Sequence, residues 1–329
     1  MKKSTFTLII ILLISIMITV IGYNELVIRH NSQRYQELKN QTVSKEPTSV
    51  KQITINCIGD SLTLGDKSNS YPTILSSSTP FSINKFGGTF DQTIDLSIRL
   101  GRTKIYVKDI TIPENPSPIK VKIYNQNGEI LDVLKNTGNN FYAVEIAGIT
   151  GKLKYNSSMQ SHTFTRDQQG KEKNITSLTQ ITAQYPQYHM NDIAIIFTGT
   201  YDSNVENGIF KTITYQRAII NQLKTKKYIV ISLTSKRKFP IVDDMNKVLK
   251  EEHGEHFLDF RLYLLENGLK DAHITPTVQD KKDLSKGLIP SSLLKEDKIN
   301  GNAKFNHLLA EQIINKMIAL EYIDKQQLQ

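Results

Sequence analysis

Ser61 is the residue of this chain best placed to do chemistry, because the apolar run Ile53-Thr54-Ile55-Asn56-Cys57-Ile58 ends abruptly in Gly59-Asp60-Ser61. In an open α/β sheet a parallel strand delivers its last residues to the carboxyl edge, where ligands bind. The glycine permits the sharp turn after which a serine opens the next helix. A serine after an aspartate also occurs at plain helix starts, so its neighbours decide its role. As a nucleophile it needs a base to take its proton and a third group to orient that base. His253, His256 and His273 fall in loops or at helix ends, and His307 lies on the last helix, where a surface or packing role is expected. Lys298 would serve only with a strongly lowered pKa. Cys57, the single cysteine, sits inside the first strand and reads as a small buried residue, with no disulfide or metal to form.

The elements that must position Ser61 alternate between strand and helix. A helix is expected near Tyr71 to Ser76, followed by the strand Phe81 to Phe86, which ends in Gly87-Gly88-Thr89. Glycines there allow close approach of a backbone N–H to a ligand, or make a plain turn. Asp192 to Phe197 is a continuous apolar run of the kind buried in parallel sheets, and it ends in Thr198-Gly199-Thr200-Tyr201-Asp202. Helices are expected at 212–223 and 242–252, strands at 227–233 and 257–260, and an amphipathic helix ending near Leu320. Between Lys104 and Arg166 the texture changes to short alternating runs broken by Gly, Asn and Pro, which predicts antiparallel β structure. The expectation is an α/β domain over residues 52–325, a parallel sheet flanked by helices, with a β-rich insertion at 102–170. That insertion is read either as a structural elaboration shielding the site or as a glycan-contacting wall.

The N-terminus is organised differently. Lys2 and Lys3 precede an uncharged, strongly aliphatic stretch from Ser4 to Asn24. About twenty such residues cross a bilayer as a helix. With no Ala-x-Ala cleavage site after it, residues 1–24 are expected to be an uncleaved anchor rather than a signal peptide. The two lysines keep the N-terminus in the cytoplasm, which puts the domain outside the cell membrane. Residues 25–51 read as a linker. The 329-residue chain carries a formal charge of +9, which suits an anionic partner. Without an arginine-rich patch or interleaved aromatics, nucleic acid is not expected as that partner.

The Gly59-Asp60-Ser61-Leu62 turn, its place early in the chain and the order of the later blocks resemble the SGNH, or GDSL, hydrolase family, in a bacterial and phage-associated branch with a β-rich insertion. The resemblance covers about residues 52–320 and implies a flavodoxin-like fold with Ser61 as nucleophile. It implies an oxyanion N–H at Gly87 or Gly88. The family's third block usually ends Gly-x-Asn-Asp, with the asparagine donating the second oxyanion hydrogen bond. Tyr201 stands in that place here, with Asn204 close in sequence. The last block usually reads Asp-x-x-His-x-Asn, whereas this chain has Asp297-Lys298-Ile299-Asn300-Gly301-Asn302. Asp297 takes the orienting position and Asn300 the position of the base. An amide cannot accept the serine's proton.

Two functions follow from the resemblance. One is a membrane-anchored, extracytoplasmic hydrolase or transferase acting on O-acetyl esters of a cell-envelope glycan. The alternative is a catalytically impaired pseudoenzyme that binds an envelope polysaccharide or protein. No cofactor or metal is expected, since Asp, Glu and His do not cluster at ligand spacing.

Overall fold

The apolar runs of the first and last thirds pair into one sheet. The computed structural model of the chain describes residues 53–66, 68–135, 142–183, 193–204, 206–223, 225–236 and 241–328. The expected anchor (1–24) and linker (25–51) lie outside the described residues. Among the described residues, no helix is long and apolar enough to cross a membrane.

The strands in chain order are β1 (Thr54–Gly59), β2 (Ser82–Gly87), β3 (Ile105–Val107), β4 (Ile110–Ile112), β5 (Ile119–Val121), β6 (Tyr142–Ile146), β7 (Ile149–Asn156), β8 (Ser161–Arg166), β9 (Lys173–Ile175), β10 (Thr179–Ala183), β11 (Ile193–Phe197), β12 (Tyr228–Ile231) and β13 (Phe257–Leu258). The first two and last three form a parallel sheet of order β13-β12-β11-β1-β2. Side chains alternate across it, as a strand's period of two requires. Ile55, Cys57 and Ile195 pack with Phe260, Phe305 and Ile313 on one face. Ile58, Ile196 and Val230 pack with Leu96, Val242 and Met245 on the other. Both faces are covered, which explains why β11 is apolar at every position. Burial pushes the Cys57 thiol up to about 12, so it is a core residue and no nucleophile.

The chain steps from β1 to β2 on one side and then returns to β11 on the other. The crevice therefore opens where β1 and β11 end side by side, with Gly59 in register with both Phe197 and Gly87. Helices α1 (Ser61–Leu64), α2 (Tyr71–Ser78), α3 (Thr93–Arg99), α4 (Gly208–Ile220), α5 (Ile241–His253), α6 (Phe260–Glu266), α7 (Gly268–Asp271), α8 (Val278–Leu284) and α9 (Ala303–Ala319) complete the layers.

The middle third forms an antiparallel sheet of order β3-β10-β6-β7-β8-β5 beside the short pair β4-β9. Its last strand runs to Ala183, beyond residue 170. Its core of Val107, Ile112, Ile123, Leu134, Ile146, Leu153 and Phe164 also takes in Ile94 and Ile98 of α3. Asp95 of α3 ties it to the parallel domain by accepting a hydrogen bond from the Leu134 N–H at 2.6 Å.

Candidate active site

The turn that presents Ser61 is packed on all sides. A Cβ at Gly59 would lie 2.1 Å from Thr63 Oγ1 and 2.4 Å from the Phe197 carbonyl oxygen, so only glycine fits between β1, β11 and α1. Asp60 caps α1, its Oδ1 accepting from the Leu62 N–H at 3.0 Å. Thr63 meets the Tyr71 hydroxyl at 3.1 Å, which fastens α1 to the helix behind it.

Ser61 is then brought together with three residues from distant parts of the chain. Its Oγ lies 2.7 Å from the Tyr201 hydroxyl and 3.3 Å from Asn300 Oδ1. Asn300 Nδ2 donates to Asp297 Oδ2 at 2.6 Å. The chemistry of the groups fixes the direction of this chain. An ionised carboxylate only accepts, so the amide nitrogen must face Asp297 and the amide oxygen must face Ser61. Ser61 donates its one O–H hydrogen bond to Asn300 Oδ1, and Tyr201 donates to the serine's free lone pair. Asn300 thus reproduces the polarity of a neutral histidine, with a donor toward the carboxylate and an acceptor toward the serine. It lacks a titratable nitrogen, so the wiring is retained and the proton transfer is not.

Asp297 is held ionised for this arrangement. Burial pushes its carboxyl up, but the Asn300 side chain and the Ile299 and Asn300 N–H groups, at 2.9 and 2.8 Å, outweigh that and hold it below the usual carboxylate range. The loop is fixed on both sides. Asn302 caps α9, accepting from Phe305 N–H at 3.2 Å and donating to the Ser292 carbonyl at 2.8 Å. Asp280 accepts from the Ser292 N–H and hydroxyl at 2.9 and 2.7 Å.

Gly87 and Gly88 lie at the end of β2, beside the serine turn. The Gly88 N–H donates to the Gly59 carbonyl at 3.3 Å, a bond it would have to share with any oxyanion. Close packing already accounts for both glycines. A Cβ at Gly87 would meet the Leu64 backbone N at 2.6 Å, and one at Gly88 would meet Asp91 Oδ2 at 1.7 Å. Tyr201 is buried at the crevice, with Phe90 edge-on to its ring at 5.3 Å between centroids. The Asn204 side chain lies outside what the structure describes.

Two of the histidines considered as a base, His253 and His256, are engaged elsewhere. His253 Nε2 is 2.9 Å from Gln216 Oε1, and burial brings its pKa down to about 4. His256 stacks on Tyr228 at 4.1 Å and meets the Tyr322 hydroxyl at 2.7 Å. Neither ring shares a hydrogen bond with Ser61.

Behind the serine lie buried carboxylates that, apart from Asp60, were not expected at the site. Asp202 accepts from the Thr93 N–H at 3.2 Å, from the Thr93 hydroxyl and from the Thr212 hydroxyl at 2.8 Å, which locks the Tyr201 turn onto α3 and α4. Asp91 pairs with Arg99. Asp60 and Asp95 are pushed up to about 7, chiefly by burial. For Asp60 the charges of Asp202 and Asp91 add to the shift, and for Asp95 those of Asp91 and Asp202. The signal available in sequence was the four-residue spacing of Asp91, Asp95 and Arg99, which runs from just before the N-cap of α3 to its last residue.

A pH dependence follows. A carboxyl whose folded pKa is raised contributes stability that is full below its unfolded pKa and is lost as pH rises through the folded value. Stability should therefore fall between about pH 4 and pH 7, at up to roughly 1.4 kcal/mol per pH unit per group, and level off above that. Asp60→Asn keeps the acceptor for Leu62 and cannot ionise, so it should remove about half of that slope in thermal melts. An unchanged slope would show that Asp60 stays ionised in the fold.

No family profile matches this chain, and no curated protein matches its sequence. Among solved structures it is similar to a Desulfitobacterium hafniense protein assigned to the lipolytic G-D-S-L family, with 13% identity, a TM-score of 0.43, and 80% of this chain and 99% of that chain covered. It is also similar to a member of the lipolytic G-D-S-L family from Veillonella parvula, with 12% identity, a TM-score of 0.42, and coverage of 80% and 96%. A variant of an acetyl xylan esterase from Geobacillus stearothermophilus gives 11% identity, a TM-score of 0.39, and coverage of 80% and 94%.

Proposed function

We propose that the crevice is a serine hydrolase-type centre that binds an O-acylated glycan of the cell envelope and turns it over poorly. One observation carries this reading: the Ser61 hydroxyl is held between the Tyr201 hydroxyl and the Asn300 amide, and among the described residues no histidine, lysine or carboxylate shares a hydrogen bond with it. Without a base to take its proton, the serine stays a weak nucleophile. Tyr201 also occupies the lone pair with which Ser61 would attack an ester carbon. The same polar row, a hydroxyl, a hydroxyl and an amide at a sheet's carboxyl edge, is suited to hydrogen-bond an acylated sugar. The aliphatic N-terminal stretch and its flanking lysines support placement of the domain outside the cell on a membrane anchor.

A second reading keeps full ester hydrolysis or acyl transfer. It rests on the retained Asp297–Asn300–Ser61 polarity, with a base brought by the substrate. The two separate in one assay. Aryl acetate turnover by the parent should lie within about threefold of Ser61→Ala, and a fluorophosphonate should leave Ser61 unlabelled. Turnover that Ser61→Ala lowers 100-fold, or stoichiometric labelling, would overturn impairment and establish the enzyme.

A further inference from the structure

The outer face of the insertion carries a second polar surface. β5, β8 and β7 are adjacent and antiparallel, and Lys120, Thr163 and Lys154 stand directly opposite one another across them. Lys152 pairs with Thr165 in the next row of the same face. The alternate residues Leu153 and Phe164 point into the insertion's core. These lysines and threonines, with Asn156 and Met159, line a cleft of about 380 Å³. Glu145 of β6, in register with Thr150 of β7, borders it on that side.

We propose that this cleft binds a linear, hydroxyl-rich polyanion, a phosphodiester-linked polyol chain. Residues two apart on a strand are about 7 Å apart, and two inter-strand spacings come to about 10 Å. Cations spread over that span meet successive charges of a chain rather than one small anion. The threonine hydroxyls and the Asn156 amide between them both donate and accept, which suits polyol hydroxyls. Among the described residues no aromatic ring lines the cleft, so they offer no platform on which nucleic-acid bases stack. The chain's formal charge of +9 favours the encounter. The proposal stands apart from the reading of Ser61, because the cleft lies on a different sheet.

The test is binding of a fluorescent glycerol-phosphate oligomer to the full chain in detergent micelles, read by polarisation at several salt concentrations. The K120Q/K152Q/K154Q variant should weaken binding at least tenfold at low salt and lower the slope of log Kd against log salt by about 2. The exposed lysines of another surface supply a charge-matched control, K281Q/K282Q/K286Q, which should stay within twofold of the parent. Ser61→Ala should bind like the parent, whatever its activity. Equal losses in the two triple variants would mean that only net charge matters and would overturn the site. So would tighter binding of an oligothymidylate of the same charge, or unchanged binding by K120Q/K152Q/K154Q.

Discussion

Asn300→His is expected to raise kcat/KM for an aryl acetate by about 100-fold, the lower end of what a positioned general base supplies. The gain should vanish when Ser61→Ala is added. The argument is geometric. The two nitrogens of an imidazole span nearly the same distance as the oxygen and nitrogen of the amide they replace. Asp297 Oδ2, now 2.6 Å from Asn300 Nδ2, would receive the ring's Nδ1–H and fix its tautomer. The other nitrogen would then face Ser61 Oγ, which now donates to Asn300 Oδ1 at 3.3 Å. Activity should rise with pH as this imidazole loses its proton. Adding Tyr201→Asn should help further, since a well-placed oxyanion donor contributes on the order of 100-fold or more. A parent already as active as Asn300→His would show that another group serves as base.

The parallel scaffold and the serine turn were legible because each had a local signature. β11 is an unbroken apolar run, β1 carries Ile55, Cys57 and Ile58, and Gly59 stands where only glycine fits. Asp297 and Asn300 were legible by their order in the last block, and the structure places both at Ser61. Other features depend on partners far apart in the chain, which no local pattern reports. The Tyr201 hydroxyl reaches Ser61 across 140 positions of sequence. Asp202 is bound by Thr93, 109 positions away. The insertion's alternation predicted antiparallel strands but not their order, because β5 pairs with β8 and β3 with β10 rather than with sequence neighbours. The lysine cleft appears only once that order is known.

Arg99→Met is expected to destabilise the domain by about 3–5 kcal/mol, the cost of leaving one member of a buried ion pair alone. Asp91 is fully buried, and burial already pushes its carboxyl up against the lowering effect of Arg99. Gly88 lies against both partners, since a Cβ there would come within 1.7 Å of Asp91 Oδ2 and 2.2 Å of the Arg99 guanidinium. The pair therefore supports the end of β2 beside the serine turn, and its loss should loosen the wall of the crevice. With roughly 2–4 °C per kcal/mol for a domain of this size, the melting temperature should drop on the order of 10 °C. Two further results identify the cause. Removing Arg99 raises the Asp91 pKa further, so the deficit should shrink as pH falls and Asp91 takes up a proton. Replacing both residues, as Asp91→Leu with Arg99→Met, should recover most of the stability, because an apolar pair carries no desolvation cost. A deficit independent of pH and unrelieved in the double variant would assign the loss to Arg99's packing instead.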